Sequence, residues 1–196
     1  MPVKTNREYR SLTVLQPNQT KRLDTDYYVE GYATTYEPYL LYEYDGTKFY
    51  EQIDRNAFDG ADMSDVIMQY DHEGRVMARQ SNKTLFIEPD EHGLFIYADL
   101  GKSSTSRALY EDIDSGLITK MSWAFTIAEE DYDHDTRTRL IKRVKKVYDV
   151  SAVSLPANEG TEISARSFIN GVIEKERQEL VERKRKLLRI KLLMEE

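Results

Sequence analysis

Between residues 120 and 127 the chain alternates without a break, with Met121, Trp123, Phe125 and Ile127 bulky against Ser122, Ala124 and Thr126, which are small or polar. A period of two belongs to a β-strand, whose successive side chains point to opposite faces. The same strand chemistry, aromatic and β-branched residues that pack on a pleated surface, recurs in YYVEGYATTY at 27–36 and at 66–70, 84–88 and 93–100. The last two runs are separated by the turn-like Pro89-Asp90-Glu91-His92. These segments predict a mainly β fold, a sheet or β-barrel assembled from hairpins.

Peripheral α-helices are predicted near 55–59 and over about 103–114, where a Ser/Thr cluster can cap the first turn and Gly116 can end the last. After a polar loop, EEDYDHDTRT, a long extended stretch runs from about 139 to 155 and stops at Pro156-Ala157-Asn158-Glu159-Gly160. Apolar residues fall on both parities there, which predicts a bulge or a two-faced strand. From Phe168 onward the pattern is helical, with Ile173, Leu180, Leu187 and Met194 seven apart. The expected organisation is one domain over 1–167 and a charged C-terminal helical tail over 168–196, serving assembly or targeting.

A chain of 196 residues, 40% hydrophobic, is long enough for one compact core. It has no cysteine, which excludes thiolate nucleophiles, disulfides and cysteine-ligated metals. The opening MPVKTNREYR lacks a signal-peptide core, and no run approaches the ~18 apolar residues of a membrane span, so a cytoplasmic protein with no membrane partner is expected. Residues 172–196 carry 8 Lys/Arg against 6 Asp/Glu, leaving 20 against 29 in the rest. An acidic body is a poor general binder of phosphate backbones, so no nucleic-acid partner is required. The basic run RKRKLLRIK has interspersed leucines and flanking glutamates, which suit an amphipathic helix on a protein partner.

Hydrolysis by a hydroxyl needs a nucleophile, a base within reach of it, and usually an orienter for that base. Of three histidines, His92 lies in a turn signal and His134 among aspartates, and both read as solvated. His72 shares strand parity with Val66, Met68 and Tyr70, so it is expected to point inward, either as a core histidine or as a base. Ser122 sits mid-strand on the small face, either as a half-buried polar residue or as a nucleophile with room around it. Asp149 by itself reads as a solvated charge at a strand end. His72-Glu73 lacks the second histidine of a zinc motif, since position 76 is Val; Asp131, Asp133 and Asp135 lack the glycine of a calcium loop, replaced by Thr136. Neither metal nor cofactor is therefore expected. Lys120, two residues before Ser122, leaves a Ser-Lys dyad as an alternative, although it would have to lose its proton to act.

Several pieces occur in a telling order: EGYAT at 30–34, IDRNAF at 53–58, the histidine after VIMQYD, GLFIYADL at 93–100, SGLITKMSWAF at 115–125 and YDVSAVSLPAN at 148–158. Together, over about 29–166, they resemble the tailed-phage prohead protease family, which is similar to the herpesvirus capsid maturation protease, assemblin. The resemblance implies an assemblin-like fold, His72 as general base, Ser122 as nucleophile and Asp149 as orienter of His72. It departs from the family in Ala124, where a glycine is usual two residues after the serine, and in Asp149, where glutamate is common. No oxyanion-hole residue is assigned. The implied function is that of a serine endopeptidase acting through an acyl-enzyme. It would cleave scaffold or capsid-protein extensions, and itself, inside the immature capsid in the host cytoplasm. Major capsid protein or scaffold protein would be the substrate, and analogy suggests a homodimer. The alternative is a non-catalytic scaffold or capsid-assembly subunit that keeps the protease fold.

Overall fold

The computed structural model describes residues 7–14, 21–154 and 159–194. Among them are ten strands and two helices, the mainly β architecture that the alternating runs predict. Two long strands dominate: β9 (Lys120–Asp133) and β10 (Thr138–Val153) form an antiparallel hairpin. The polar segment 129–138, read as a loop, is therefore mostly ladder. Arg143 meets Glu129 and Lys142 meets Asp131, both at 2.8 Å, so cross-strand charge pairs replace apolar contacts there. Only the tip turns, where Asp133 Oδ1 accepts from the backbone N–H groups of Asp135 and Thr136.

Strand β10 resolves the apolar residues on both parities. Ile141, Val144, Val147, Val150 and Ala152 all enter one core. Between the first and last of these, the pairing with β9 shifts register four times. Each irregularity displaces the side-chain alternation and returns a later apolar residue to the same face.

β1 (Glu8–Val14) pairs with the other edge of β9. On its far side β10 forks, its beginning running parallel to β4 (Thr47–Ile53) and its end parallel to β5 (Ile67–Tyr70), with Asp62 bridging to Lys146 between them. β4 continues to β3 (Tyr39–Tyr44), and β5 to β6 (Glu73–Arg79). The fork corrects the barrel expectation: a strand that gives its two halves to different partners branches the sheet. Among the described residues β1, β3 and β6 are left as its ends, and no barrel closes. β2 (Tyr28–Thr35), β8 (Gly93–Asp99) and β7 (Leu85–Pro89) make a separate three-stranded sheet.

The core fills the space between the sheets. Val29, Leu94, Ile96 and Ala98 meet Met68, Met121, Trp123, Phe125 and Val150 there. The opposite face of β8 is also covered, by an aromatic cluster in which Phe86 stacks on Tyr97 at 4.8 Å, so all seven β8 residues are buried. Gly93 is required at the start of that strand. A Cβ there would overlap the Thr34 carbonyl oxygen and lie 2.8 Å from Thr35 Cα, both backbone atoms.

α1 (Ser104–Asp114) is capped as expected: Ser103 Oγ accepts from the Ser106 N–H at 3.0 Å, and Gly116, at φ 77°, follows its end. The helix predicted at 55–59 is corrected to a run of tight turns. The N–H groups of Ala57, Asp59 and Ala61 bond carbonyls three residues back, which drops Ala57 and Phe58 into the core. α2 (Glu159–Met194) starts before the predicted 168. The stop at Pro156-Ala157-Asn158 lies outside the described residues.

A buried charge cluster ties the first strand to the rest. Glu51, fully buried, receives Arg10 Nε at 2.5 Å and Arg10 Nη2 at 2.8 Å, and Arg139 Nη1 lies 3.2 Å away. Tyr39 donates its hydroxyl to the same carboxylate. Burial pushes the Glu51 carboxyl up, but the charge and hydrogen bonds of Arg10, helped by Arg139 and Tyr39, outweigh it and hold the group below its ordinary value.

Candidate active site

Ser122 lies mid-β9, in register with Ser11 of β1 on one side and Ser151 of β10 on the other. The stacked rings of Trp123 and Phe125, 3.8 Å apart, occupy the core face. Ser122 and Ala124 therefore face the other way. Directly opposed residues of paired strands share a face, so Tyr9 and Asp149, both opposite Ala124, and Ser151 gather with them. The small face foreseen from the alternation is thus where polar side chains collect.

His72 arrives from a different direction. Tyr70 pairs with Glu73, leaving Asp71 and His72 as a two-residue hairpin turn with φ of 48° and 59°. Positive φ at both central residues is the requirement of a type I′ turn, and Asp and His are among the few non-glycine residues that tolerate it. Extended strand parity would have kept His72 on the face of Met68 and Tyr70, which is already exposed at Tyr70; the left-handed pair swings it onto the opposite face instead. It is buried, as expected, but for a different reason. Asp71 fixes the turn. Its N–H donates to the Ala152 carbonyl at 2.9 Å, and its carboxylate accepts from the N–H and the hydroxyl of Ser154, each at 2.9 Å.

The structure brings the three predicted residues together. His72 Nε2 is 2.6 Å from Ser122 Oγ, and His72 Nδ1 is in hydrogen-bond contact with Asp149 Oδ1. All three are buried, at 5%, 4% and 3% exposure, so their mutual contacts are little screened by water. Two neighbours escaped the sequence reading. Ser151 Oγ donates to Asp149 Oδ1 at 2.8 Å, and the Tyr9 ring packs edge-on against the imidazole with centroids 4.8 Å apart. The Asp-x-Ser spacing on a strand was a usable signal for Ser151; nothing local marks Tyr9. His92 and His134 are exposed, the latter against Glu176 at 3.1 Å, and Lys120 is exposed as well.

A hydroxyl resting on an imidazole that a buried carboxylate holds at its other nitrogen is the side-chain arrangement of a serine hydrolase. The profile of the caudovirus prohead serine proteases matches residues 16–175, and the chain belongs to that family of phage capsid maturation proteases. It is 28% identical to the prohead protease of Escherichia phage T5 over 109 residues, 56% of this chain and 50% of that protein. It is 29% identical to the prohead protease of Enterobacteria phage HK97 over 84 residues, 42% and 37% of the two. The chain thus spans half or less of the curated relatives it matches. No solved structure matches it.

Proposed function

We propose that this chain is a serine endopeptidase that cuts scaffold or capsid-protein extensions, and itself, through an acyl-enzyme inside the prohead. The observation that carries this reading is the 2.6 Å contact between Ser122 Oγ and His72 Nε2, with His72 Nδ1 held on Asp149. In the proposed step Ser122 Oγ attacks the scissile carbonyl carbon as its proton passes to His72 Nε2. The imidazolium is stabilised by Asp149, and its proton then goes to the leaving amine as the acyl-enzyme forms. Water, deprotonated by the same imidazole, cleaves the ester and restores Ser122. The two-strand support of β9 and the clamped β5–β6 turn favour this reading, because both reacting atoms sit on fixed backbone.

The test is a fluorophosphonate probe followed by peptide mapping. Covalent label at Ser122, lost on prior denaturation, supports the proposal. A folded protein that takes no label anywhere would instead favour a non-catalytic assembly subunit.

The division between a catalytic body and a tail from 168 is likewise a proposal. In α2 Val172 and Ile173 are half-buried and every described side chain from Glu174 onward is exposed, so the body loses little burial without residues beyond 170. A chain ending at Asn170 is expected to fold, by circular dichroism, and to label at Ser122 at the full-length rate. Loss of folding or of labelling on truncation would overturn the division.

A further inference from the structure

We propose that Ser151 is a positioning residue of the site, acting on His72 through Asp149. This rests on the serine-protease reading of the same three residues. Ser151 is fully buried, and its hydroxyl donates at 2.8 Å to Asp149 Oδ1, the oxygen that also meets His72 Nδ1. Residues two apart on β10 share a face, and Ser151 is in register with Ser122 on β9, so the hydroxyl is fixed by ladder on both sides.

The arrangement answers a specific need. Asp149 is shorter by one methylene than a glutamate and carries its charge almost out of water. A carboxylate so buried needs donors to hold one rotamer. Ser151 supplies the second donor, opposite in role to His72, because it never exchanges its proton in the reaction. It fixes where Oδ1 sits, and Oδ1 fixes the imidazole plane that aims Nε2 at Ser122 Oγ. Without Ser151 the carboxylate can rotate about its Cβ–Cγ bond and the imidazole loses its single orientation. Nothing about Ser151 suits it to be the nucleophile, since its hydroxyl proton already points at Asp149.

The experiment is a double-mutant cycle in the full chain, read as the rate of Ser122 phosphonylation by a fluorophosphonate. Ser151→Ala is expected to slow labelling about 10- to 30-fold, the scale of losing one hydrogen bond to a charged group. Ser151→Thr, which keeps the hydroxyl, should recover most of that loss. In an Asp149→Asn background Ser151→Ala should cost less than threefold, because the carboxylate it serves is gone. Full additivity of the two substitutions, or a Ser151→Ala rate equal to that of the parent, overturns the proposal. So does a Ser151→Thr variant that melts like the parent yet labels as slowly as Ser151→Ala. Failure of the underlying reading looks different: the folded parent itself would then take no label at Ser122.

Discussion

Ser122→Ala and His72→Ala are each expected to reduce the proposed self-cleavage to background, a loss of about 10⁴-fold or more, while the far-ultraviolet circular dichroism stays that of the parent. The first removes the attacking atom, and the second leaves Ser122 Oγ with no base at the 2.6 Å contact. Asp149→Asn keeps the shape but removes the charge that stabilises the imidazolium. It should therefore fail less completely, with residual cleavage above that of Ser122→Ala. The measurement is the self-cleavage rate per folded protein. Cleavage persisting in Ser122→Ala would discard the serine, whereas a fully active Asp149→Asn would discard only the orienter.

The largest stability effect is expected at Glu51. Glu51→Ala removes the carboxylate that Arg10 and Arg139 share and leaves Arg10 with Glu8, and Arg139 with Glu130 and Glu8. Breaking a buried ion pair costs about 3–5 kcal/mol, and these remaining partners place the expectation at the lower end, about 3 kcal/mol. In a chain of this length that is a fall in Tm on the order of 10 °C. The pH dependence has a defined sign. The Glu51 carboxyl is held below its ordinary 4.5 in the folded protein, so its contribution is complete above that value and is lost as pH falls through the lower folded one. The Tm gap between parent and Glu51→Gln should accordingly be constant from pH 5 to 7 and narrow below about pH 4. A gap that widens on acidification would show that the folded carboxyl is raised rather than lowered.

The strand content was legible because a strand with one bulky and one small face writes its period into the sequence, as 120–127 does, even where both faces are buried. The charge cluster was not, because Arg10, Glu51 and Arg139 carry no mark that they meet. The barrel expectation failed for a related reason: alternation tells which face of a strand is buried, but not that β10 gives its two halves to β4 and β5. At the site, Ser122 was placed on the correct face by parity alone. His72 was not, since its direction is set by two left-handed residues of a turn that the continuing run VIMQYDH disguises as strand. Pairing the three residues came only from the ordered resemblance to a family, as spacing does not connect positions separated by this much chain.

That separation bears on when the protein can first act. His72 and Asp149 are 77 residues apart, and the β5–β10 pairing that joins them is parallel and non-local. Chains dominated by such pairings fold slowly, because loop closure precedes any favourable contact. During synthesis β5 and the His72 turn emerge well before β10, which carries Asp149. On the proposed reading, competence is postponed by topology itself: a nascent or half-folded chain holds Ser122 and His72 but not the assembled contact with Asp149, a delay between translation and the proposed proteolysis that needs no inhibitor.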